Sequence, residues 1–177
     1  MKKYVPSFQA KSIYEVDLDF FKKLNIRYLF LDLDNTLDGP HTPVPSLKTI
    51  ELINKMKSSG LVPIILSNNS KERVSKYAMP LNVEYVYRAN KPFSSTLKKY
   101  INCKKIDSNS SIIIGDQVMT DIFCANNAHL KSLLTERLTE KDQIVTFINR
   151  KIDKHYRKKI LKGKLAPDWR EIYAKYK

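Results

Sequence analysis

Cysteine, glycine and tryptophan are scarce in this sequence, which has two, four and one of them among 177 residues. Cys103 and Cys124 are too few for a framework of disulfides and match no metal-ligand spacing, so we expect reduced thiols in a cytoplasmic protein. No apolar run approaches the roughly 20 residues that a membrane-spanning helix requires. The residues after Met1 contain no apolar signal core. These absences predict a soluble or peripheral protein without a transmembrane segment.

Acidic residues are few relative to basic ones, 18 against 32, which gives a formal net charge of +14. Such an imbalance favours polyanionic partners, namely nucleic acid, anionic lipid surfaces or phosphorylated substrates, without choosing among them. The content of 42% hydrophobic and 28% charged residues is ordinary for a folded protein of one domain. We therefore predict a single domain over residues 1–177, with a core at about 26–138 and a basic helical extension at about 140–177.

An apolar run that ends in two carboxylates organises the rest of the chain. Tyr28 to Leu31 is short and rich in strand-favouring residues, which predicts a buried parallel strand. Asp32 and Asp34 follow at its carboxyl end, where open α/β sheets bind ligands. Two carboxylates so close repel each other unless a cation such as Mg²⁺ lies between them. Alternatively, the two acids only end the strand and begin a turn, where Asp is common.

Helices and strands alternate along the chain, beginning with a short helix expected before Asn25 that packs on the sheet edge. Further strands are predicted at 62–66, 83–87, 111–114 and 130–134. Helices are predicted at 46–59, 71–77 and 94–100, and one more helix is predicted after Asp121, ending at about residue 127. This alternation predicts a doubly wound, Rossmann-like and mostly parallel α/β sheet with helices on both faces.

Polar residues follow several predicted strands in addition to the first one. They are Ser67 with Asn68, Lys91, and Asp116 with Asp121. The carboxyl ends of parallel strands meet at one edge of the sheet, so these groups can surround a single small ligand. The set suits a phosphate, because the acids hold a cation, the hydroxyl and amide donate hydrogen bonds, and the lysine opposes developing negative charge.

The order and spelling of these motifs resemble the haloacid dehalogenase (HAD) superfamily of phosphohydrolases. The matching motifs are Asp32-Leu-Asp-Asn-Thr36, Ser67, Lys91 and the segment from Gly115 to Asp121. The last motif contains two acids, Asp116 and Asp121, which are five positions apart. The resemblance implies that Asp32 is the nucleophile and forms an aspartyl-phosphate. It implies that Asp34 protonates the leaving oxygen and then activates water, a division of labour that also suits the residue types themselves. An acid at Asp34 favours a phosphatase, since dehalogenases and transport ATPases of the superfamily lack it.

The resemblance also implies a ligand set for Mg²⁺ and for the phosphoryl group. Mg²⁺ would be held by Asp32, the backbone carbonyl of Asp34 and Asp116, with Asp121 supporting these ligands from behind. The phosphoryl group would be held by Ser67, Asn68 and Lys91.

The chain resembles more closely the YqeG-type subfamily, of HAD subclass IIIA, whose relatives include phosphatidylglycerophosphate phosphatases. The segments that carry this resemblance are Asp32 to Leu37, Leu66 to Asn69, Arg88 to Pro92, Ile114 to Gln117 with Thr120-Asp121, and Phe147 to Arg150. One departure lies after the last motif, where the family has a glycine pair and an arginine and this chain has Cys124-Ala-Asn-Asn127. If that arginine binds substrate in relatives, the contact is missing here.

The spacing of the motifs leaves no room for a sizeable cap domain. Ser67 lies 31 positions after Thr36, and Lys91 lies 24 positions after Ser67. An uncapped site is open, which suits substrates that bring their own bulk, such as lipid head groups, proteins or nucleic acid ends.

The C-terminal segment is an amphipathic basic helix by pattern. Ile144, Ile148, Ile152, Tyr156 and Ile160 recur every fourth residue, which predicts an apolar stripe that packs on the sheet. Residues 150–177 carry eleven basic and three acidic side chains, more than half of the net charge. This segment can bind the anionic inner face of the membrane, bind RNA, or simply be solvated. The sequence thus predicts a cytoplasmic phosphomonoesterase, for which the subfamily resemblance implies phosphatidylglycerophosphate as substrate. The alternative is a non-catalytic or weakly catalytic phosphate sensor that binds RNA or ribosomal particles through the basic segment.

Overall fold

Six parallel strands form one sheet in the order β1-β6-β5-β2-β3-β4 in the computed structural model, which describes residues 3–40, 42–139 and 147–176. The strands are β1 (Phe8–Gln9), β2 (Tyr28–Leu31), β3 (Val62–Leu66), β4 (Glu84–Val86), β5 (Ser111–Gly115) and β6 (Lys131–Leu134). The chain runs outward from β2 through β3 to β4 and then returns to the other side of β2 with β5. The strand order therefore reverses between β2 and β5, and such a point opens a crevice at the carboxyl ends.

Seven α-helices flank the sheet among the described residues. They are α1 (Leu18–Lys23), α2 (Leu47–Ser58), α3 (Lys71–Ala78), α4 (Ser95–Lys104), α5 (Phe123–Ala128), α6 (Phe147–Lys162) and α7 (Trp169–Tyr173). Ser46 and Ser70 cap α2 and α3, since their side chains accept hydrogen bonds from the backbone N–H groups of Thr49 and Arg73. A π-helical turn, Val118–Ile122, precedes α5. Among the described residues, no helix has both the length and the apolar character needed to cross a membrane.

The two faces of the sheet bury separate clusters of apolar side chains, because successive strand residues point to opposite sides. Leu29 and Leu31 of β2 pack with residues of α1, α2, α3 and α7. Phe30, between them, packs on the other face with residues of α4 and α5. Helices therefore cover both faces, and the predicted doubly wound α/β fold is confirmed.

The N-terminal segment differs from its prediction as a single short helix. Phe8 and Gln9 form an edge strand whose register partners are Leu133 and Leu134 of β6. A 3-10 turn (Ile13–Glu15) and α1 follow it. A strand of two residues is too short to show alternation, so only its pairing with β6 defines it.

The buried face of α6 is shifted relative to the predicted stripe. Ile160 is fully buried, but Ile152 is 37% exposed, and the adjacent Asp153 is buried instead. Ile144 lies outside the described residues, and the side chain of Ile148 is not described. The stripe was wrong at Ile152 because the carboxylate of Asp153 accepts a hydrogen bond from the backbone N–H of Val118 at 2.6 Å. The boundary near residue 140 between core and extension stays a prediction.

Candidate active site at the carboxyl edge of the sheet

Neighbouring strands bring the sequence-distant acids together. Leu31 of β2 is the register partner of Ile114 of β5. The pairing continues one step further, since the backbone N–H of Asp32 donates to the carbonyl of Ile114 at 2.9 Å. Asp116 follows directly after β5, so Asp32 and Asp116 extend from adjacent strands at the crevice where the strand order reverses.

Asp32, Asp116 and Asp121 form a buried acidic cluster, in which one carboxylate oxygen of each residue lies within 4.8 Å of the others. The Lys91 ammonium is buried against this cluster. It donates to Asp32 Oδ1 at 2.5 Å, to Asp121 Oδ1 at 2.6 Å and to the carbonyl of Leu66 at 3.1 Å. The four residues therefore form one connected set of charges, as the motif order predicts.

Burial and mutual repulsion change the pKa of these groups. Burial raises the pKa of Asp32 to about 7, with Lys91 opposing the shift and Asp121 adding to it. Burial also raises the pKa of Asp116 well above its usual range, together with the charges of Asp32 and Asp121. Burial alone would lower the pKa of Lys91, but the carboxylates of Asp121 and Asp32 outweigh it and raise the pKa. The cluster is therefore short of positive charge, since one lysine faces three acids.

The Asp116 carboxylate has the properties expected of a cation ligand. It is completely buried, and its Oδ1 has no hydrogen-bond partner among residues 3–40, 42–139 and 147–176. Its Oδ2 lies 3.2 Å from Nε of Arg137, which forms an ion pair with it. A buried carboxylate oxygen without a partner is costly, and a divalent cation with oxygen ligands would remove that cost. The residues present therefore fit a Mg²⁺ ion held by Asp32 and Asp116.

Asp121 is held differently from the other two acids, because both of its oxygens already have partners. Oδ1 accepts from Lys91, and Oδ2 accepts from the backbone N–H of Gln117 at 3.0 Å. Its side chain lies against Gly115 so closely that a Cβ atom there would be 2.3 Å from Asp121 Cγ. These contacts are those of a residue that supports the cluster from behind.

The Asp34 carboxylate lies beside the cluster at the mouth of the site. Its Oδ1 accepts from Nη2 of Arg73 at 2.5 Å, and its Oδ2 accepts from Nδ2 of Asn69 at 2.6 Å. Asn69 Nδ2 also donates to the Ser67 hydroxyl oxygen at 3.0 Å. Ser67, buried after β3, is thereby linked to Asp34 through one amide.

The side chain of Asn68 is engaged with the backbone of Lys91 and is not turned to the acids. Its Oδ1 accepts from the Lys91 N–H at 2.7 Å, and its Nδ2 donates to the Lys91 carbonyl at 2.9 Å. This pair fixes the loop that carries the buried lysine. A phosphate contact from Asn68 would therefore involve its backbone N–H, and its predicted role in phosphate binding stays a prediction.

Four residues at the site were missed by sequence reasoning. They are Asn69, Arg73, Arg137 and Arg157. The guanidinium of Arg157 donates to the carbonyl of Asp116 and, at 2.9 Å, to the carbonyl of Thr135. The one signal available for Arg73 is its place in the first turn of the helix that follows Ser67, because that turn begins at the same edge of the sheet.

The segment Cys124–Asn127, which departs from the family pattern, makes hydrogen bonds with the backbone of neighbouring segments. Asn127 Nδ2 donates to the carbonyl of Pro92 at 3.1 Å, and Asn126 Nδ2 donates to the carbonyl of Val5 at 3.0 Å. The arginines that reach Asp116 come instead from residues 137 and 157, after β6 and on α6.

Comparison with known proteins agrees with the motif assignment. A family model described as HAD-hydrolase-like matches residues 88–148. A relative described as probable phosphatase YqeG, from Bacillus subtilis (strain 168), is 28% identical over 153 residues, which are 86% of this chain and 89% of the relative.

Among solved structures, an uncharacterized protein from Listeria monocytogenes serotype 4b has a similar fold. It matches with a TM-score of 0.52 at 18% identity, over 67% of this chain and 86% of that one. The motif order, the acidic cluster and the sequence matches agree with one another: the chain is similar to the HAD-like hydrolases, and these matches support a phosphatase.

Proposed function

We propose that this phosphatase is a Mg²⁺-dependent phosphomonoesterase in which Asp32 is the nucleophile. The observation that carries the proposal is the buried set of Asp32, Asp116, Asp121 and Lys91 at the strand-order reversal. Asp32 is the acid of this set that follows the central strand β2, and 11% of its side chain remains exposed while that of Asp116 is fully buried. It is therefore the acid that a substrate entering from solvent reaches.

The reaction divides into two displacements at phosphorus. In the first, an oxygen of Asp32 bonds to phosphorus while the bond to the leaving oxygen breaks, and Asp34 gives its proton to that oxygen. In the second, Asp34 takes a proton from water, the water oxygen bonds to phosphorus, and the bond from phosphorus to Asp32 breaks. Inorganic phosphate leaves and the carboxylate of Asp32 is restored.

The remaining residues hold charge and position. Lys91 keeps Asp32 oriented and supplies a positive charge next to the phosphoryl oxygens, and the Ser67 hydroxyl donates to one of them. Asp32, Asp116 and, by resemblance, the backbone carbonyl of Asp34 would hold a Mg²⁺ ion, which would supply charge neutralisation for the phosphoryl oxygens. Asn69 and Arg73 keep Asp34 at the mouth, where the leaving oxygen must lie.

The test is hydrolysis of p-nitrophenyl phosphate by the wild type and by Asp32→Asn, with and without EDTA. We expect Mg²⁺-dependent turnover that EDTA stops and added Mg²⁺ restores. We expect Asp32→Asn to lose at least about a thousandfold in kcat, because an amide cannot form the acyl phosphate. A circular dichroism melt verifies that the variant is folded. Wild-type turnover by Asp32→Asn would refute the nucleophile, and full activity in EDTA would refute the metal.

The proposed substrate is a bulky phosphate monoester, and a lipid such as phosphatidylglycerophosphate is the one that the subfamily resemblance implies. Two observations support a membrane-surface substrate. The described residues between β2 and β3 form one loop and α2, and none of them forms a cap domain over the site. The exposed side of α6 carries several lysines. We propose that the enzyme works as a peripheral protein on the cytoplasmic face of the membrane.

A panel of substrates tests this choice directly. Phosphatidylglycerophosphate in mixed detergent micelles is compared with sugar phosphates, nucleotides and phosphopeptides at equal Mg²⁺. We expect the highest kcat/KM for the lipid. A higher kcat/KM for a soluble metabolite would reject the lipid and leave the reaction class intact.

A further inference from the structure

Arg73 joins three parts of the site mouth. It lies on α3, next to the Ser67–Asn69 segment. Its Nη2 donates to Asp34 Oδ1 at 2.5 Å, and its Nη1 donates to the carbonyl of Thr42 at 3.3 Å. The guanidinium thus lies between the loop that follows β2 and the helix that follows β3.

The ion pair between Arg73 and Asp34 lies further toward solvent than the one between Lys91 and Asp32. The side chains of Arg73 and Asp34 are 24% and 30% exposed, whereas those of Lys91 and Asp32 are 3% and 11% exposed. When the phosphoryl group of a substrate lies at Asp32, the rest of the substrate, which extends toward solvent, therefore lies near Arg73.

The direction of the leaving group follows from the roles of the two acids in the proposed function, on which this inference rests. The leaving oxygen lies opposite Asp32 and within hydrogen-bond distance of Asp34, about 3 Å. Since Arg73 is bonded to the same carboxylate, the first few atoms beyond that oxygen pass beside its guanidinium.

The Arg73 guanidinium offers more donors than its contacts within residues 3–40, 42–139 and 147–176 use. A guanidinium has five N–H groups in a planar fork that matches carboxylate and phosphate oxygens. In the described part of the chain, the Arg73 side chain donates two hydrogen bonds, to the Asp34 carboxylate and to the backbone carbonyl of Thr42. Arg73 therefore has N–H groups available at the mouth, beside the proposed leaving group.

We propose that Arg73 is a specificity residue that binds a second anionic group of the substrate, a carboxylate or a phosphate, located a short carbon chain from the scissile phosphate. The substrate class is thus a phosphate monoester whose alcohol portion is itself negatively charged. An alternative role is purely structural, in which Arg73 only holds Asp34 in place.

Three glycerol-based esters separate these roles. Glycerol 1-phosphate has a neutral alcohol portion, 3-phosphoglycerate adds a carboxylate, and glycerol 1,3-bisphosphate adds a second phosphate. The quantity measured is the ratio of kcat/KM for each charged ester to that for glycerol 1-phosphate. This ratio does not depend on the fraction of folded enzyme, so an unstable variant still gives an answer. p-Nitrophenyl phosphate hydrolysis is followed in parallel.

We expect the wild type to prefer at least one charged ester by about tenfold or more, as for a charge-assisted hydrogen bond. Arg73→Gln should reduce the ratio to near one, and Arg73→Lys should keep part of it, since an ammonium keeps the charge and loses the fork. Lys76→Gln, a matched change of an exposed lysine on the same helix, should keep the wild-type ratio. The ester with the larger ratio identifies the anion as carboxylate or phosphate.

Two results would overturn the inference alone. The first is a wild-type ratio near one for both charged esters. The second is an equal loss of kcat/KM for all three esters in Arg73→Gln, which would show that Arg73 has only a structural role. Absence of hydrolysis of every ester, including p-nitrophenyl phosphate, would instead reject the proposed function and this inference with it.

Discussion

Gly115 sets the distance between strand β5 and the Asp121 side chain. A Cβ atom at position 115 would lie 2.3 Å from both Cγ and Oδ2 of Asp121, closer than real Cβ contacts occur. We expect Gly115→Ala to displace Asp121 from the Lys91 ammonium, lowering kcat/KM by at least about tenfold and the unfolding free energy by about 1–3 kcal/mol. Steady-state kinetics and urea unfolding measure the two effects.

Gly39→Ala is the matched control for this substitution. A Cβ atom at position 39 would lie 3.5 Å from Cγ2 of Thr139, an ordinary van der Waals contact. It should leave the kinetics of p-nitrophenyl phosphate hydrolysis close to wild type. Equal losses in the two alanine variants would show that the approach of Asp121 to β5 has no special part in the site.

The residues predictable from sequence are those whose spacing is fixed by the strands. Asp32 and Asp116 follow apolar strand segments directly, so their meeting at one edge follows from parallel pairing alone. Arg73 and Arg137 could not be predicted in this way. Their contacts with Asp34 and Asp116 depend on where a helix turn or a loop directs a long side chain, which the local sequence does not determine.

At the scale of elements, Asp38 connects the loop after β2 with helices α2 and α3. Its Oδ2 accepts from the Tyr77 hydroxyl at 2.5 Å, from the Thr49 hydroxyl at 2.8 Å and from the Ser46 N–H at 3.1 Å. Burial would raise the pKa of Asp38, but these hydrogen bonds outweigh it and lower the pKa below its ordinary value. The charged form is therefore favoured by folding.

The lowered pKa fixes the sign of a pH dependence. Stabilisation by Asp38 is fully present above the unfolded-state pKa of about 4 and is lost as the pH falls through the lower folded-state value. We expect Asp38→Asn to reduce the unfolding free energy by about 1–3 kcal/mol at pH 7, with the difference from wild type shrinking below about pH 4. Urea unfolding at several pH values measures it.

Glu51→Gln, a carboxylate-to-amide change on the exposed side of α2, serves as the control. It should change the unfolding free energy by no more than about 0.5 kcal/mol at either pH. A difference between Asp38→Asn and wild type that stayed constant down to pH 3 would contradict the charged hydrogen-bond network.

Helix α6 fixes the loop that carries Asp116. Asp153 Oδ1 accepts from the Val118 N–H at 2.6 Å, and its Oδ2 accepts from Nε of Arg157 at 2.9 Å. Arg157 also donates to the Asp116 and Thr135 carbonyls.

We expect Arg157→Gln to loosen the loop that carries Asp116 and to raise the Mg²⁺ concentration for half-maximal activity by about threefold to thirtyfold, measured by Mg²⁺ titration. Lys158→Gln, next to it and exposed, should not change this value; a wild-type value in Arg157→Gln would refute the role.

Elements with a long apolar pattern were predictable, and those defined by pairing were not. The predicted strand at 62–66 matches β3, and α2 (Leu47–Ser58) lies within the predicted helix at 46–59. The edge strand β1 has two residues, so nothing in its own sequence distinguishes it from a loop. The orientation of α6 is set by a buried acid, Asp153, whereas apolar periodicity placed Ile152 inward.

At the scale of the whole molecule, part of the net positive charge lies on the exposed surface of helix α6. Lys154, Lys158 and Lys162 share one side of α6 with Leu161, which is 66% exposed, and the exposed Leu165 follows the end of the helix. Lysines interleaved with exposed leucines are typical of a helix that lies on an anionic bilayer. The exposed leucines are the feature of this surface that supports the proposed membrane contact.

We expect the protein to float with vesicles that contain phosphatidylglycerol at low salt and to be released as the salt concentration rises. Replacing Lys154, Lys158 and Lys162 together by Glu should abolish flotation. The same charge change at Lys23, Lys55 and Lys98, exposed lysines on three other helices, should weaken it much less. No flotation, or retention on RNA in its place, would contradict a membrane-facing α6.

The two ends of the described chain meet at the β1 edge of the sheet. The backbone N–H of Gln9 donates to the carbonyl of Pro167 at 2.9 Å, and Trp169 packs edge-on against Phe20. During synthesis the N-terminal part of a chain is available first. Strand β2 is therefore translated before the partners that β1 and the Asp116 loop require, which are β6, Pro167 and helix α6. We expect the acidic cluster to take its final arrangement only after helix α6 has been translated and has docked.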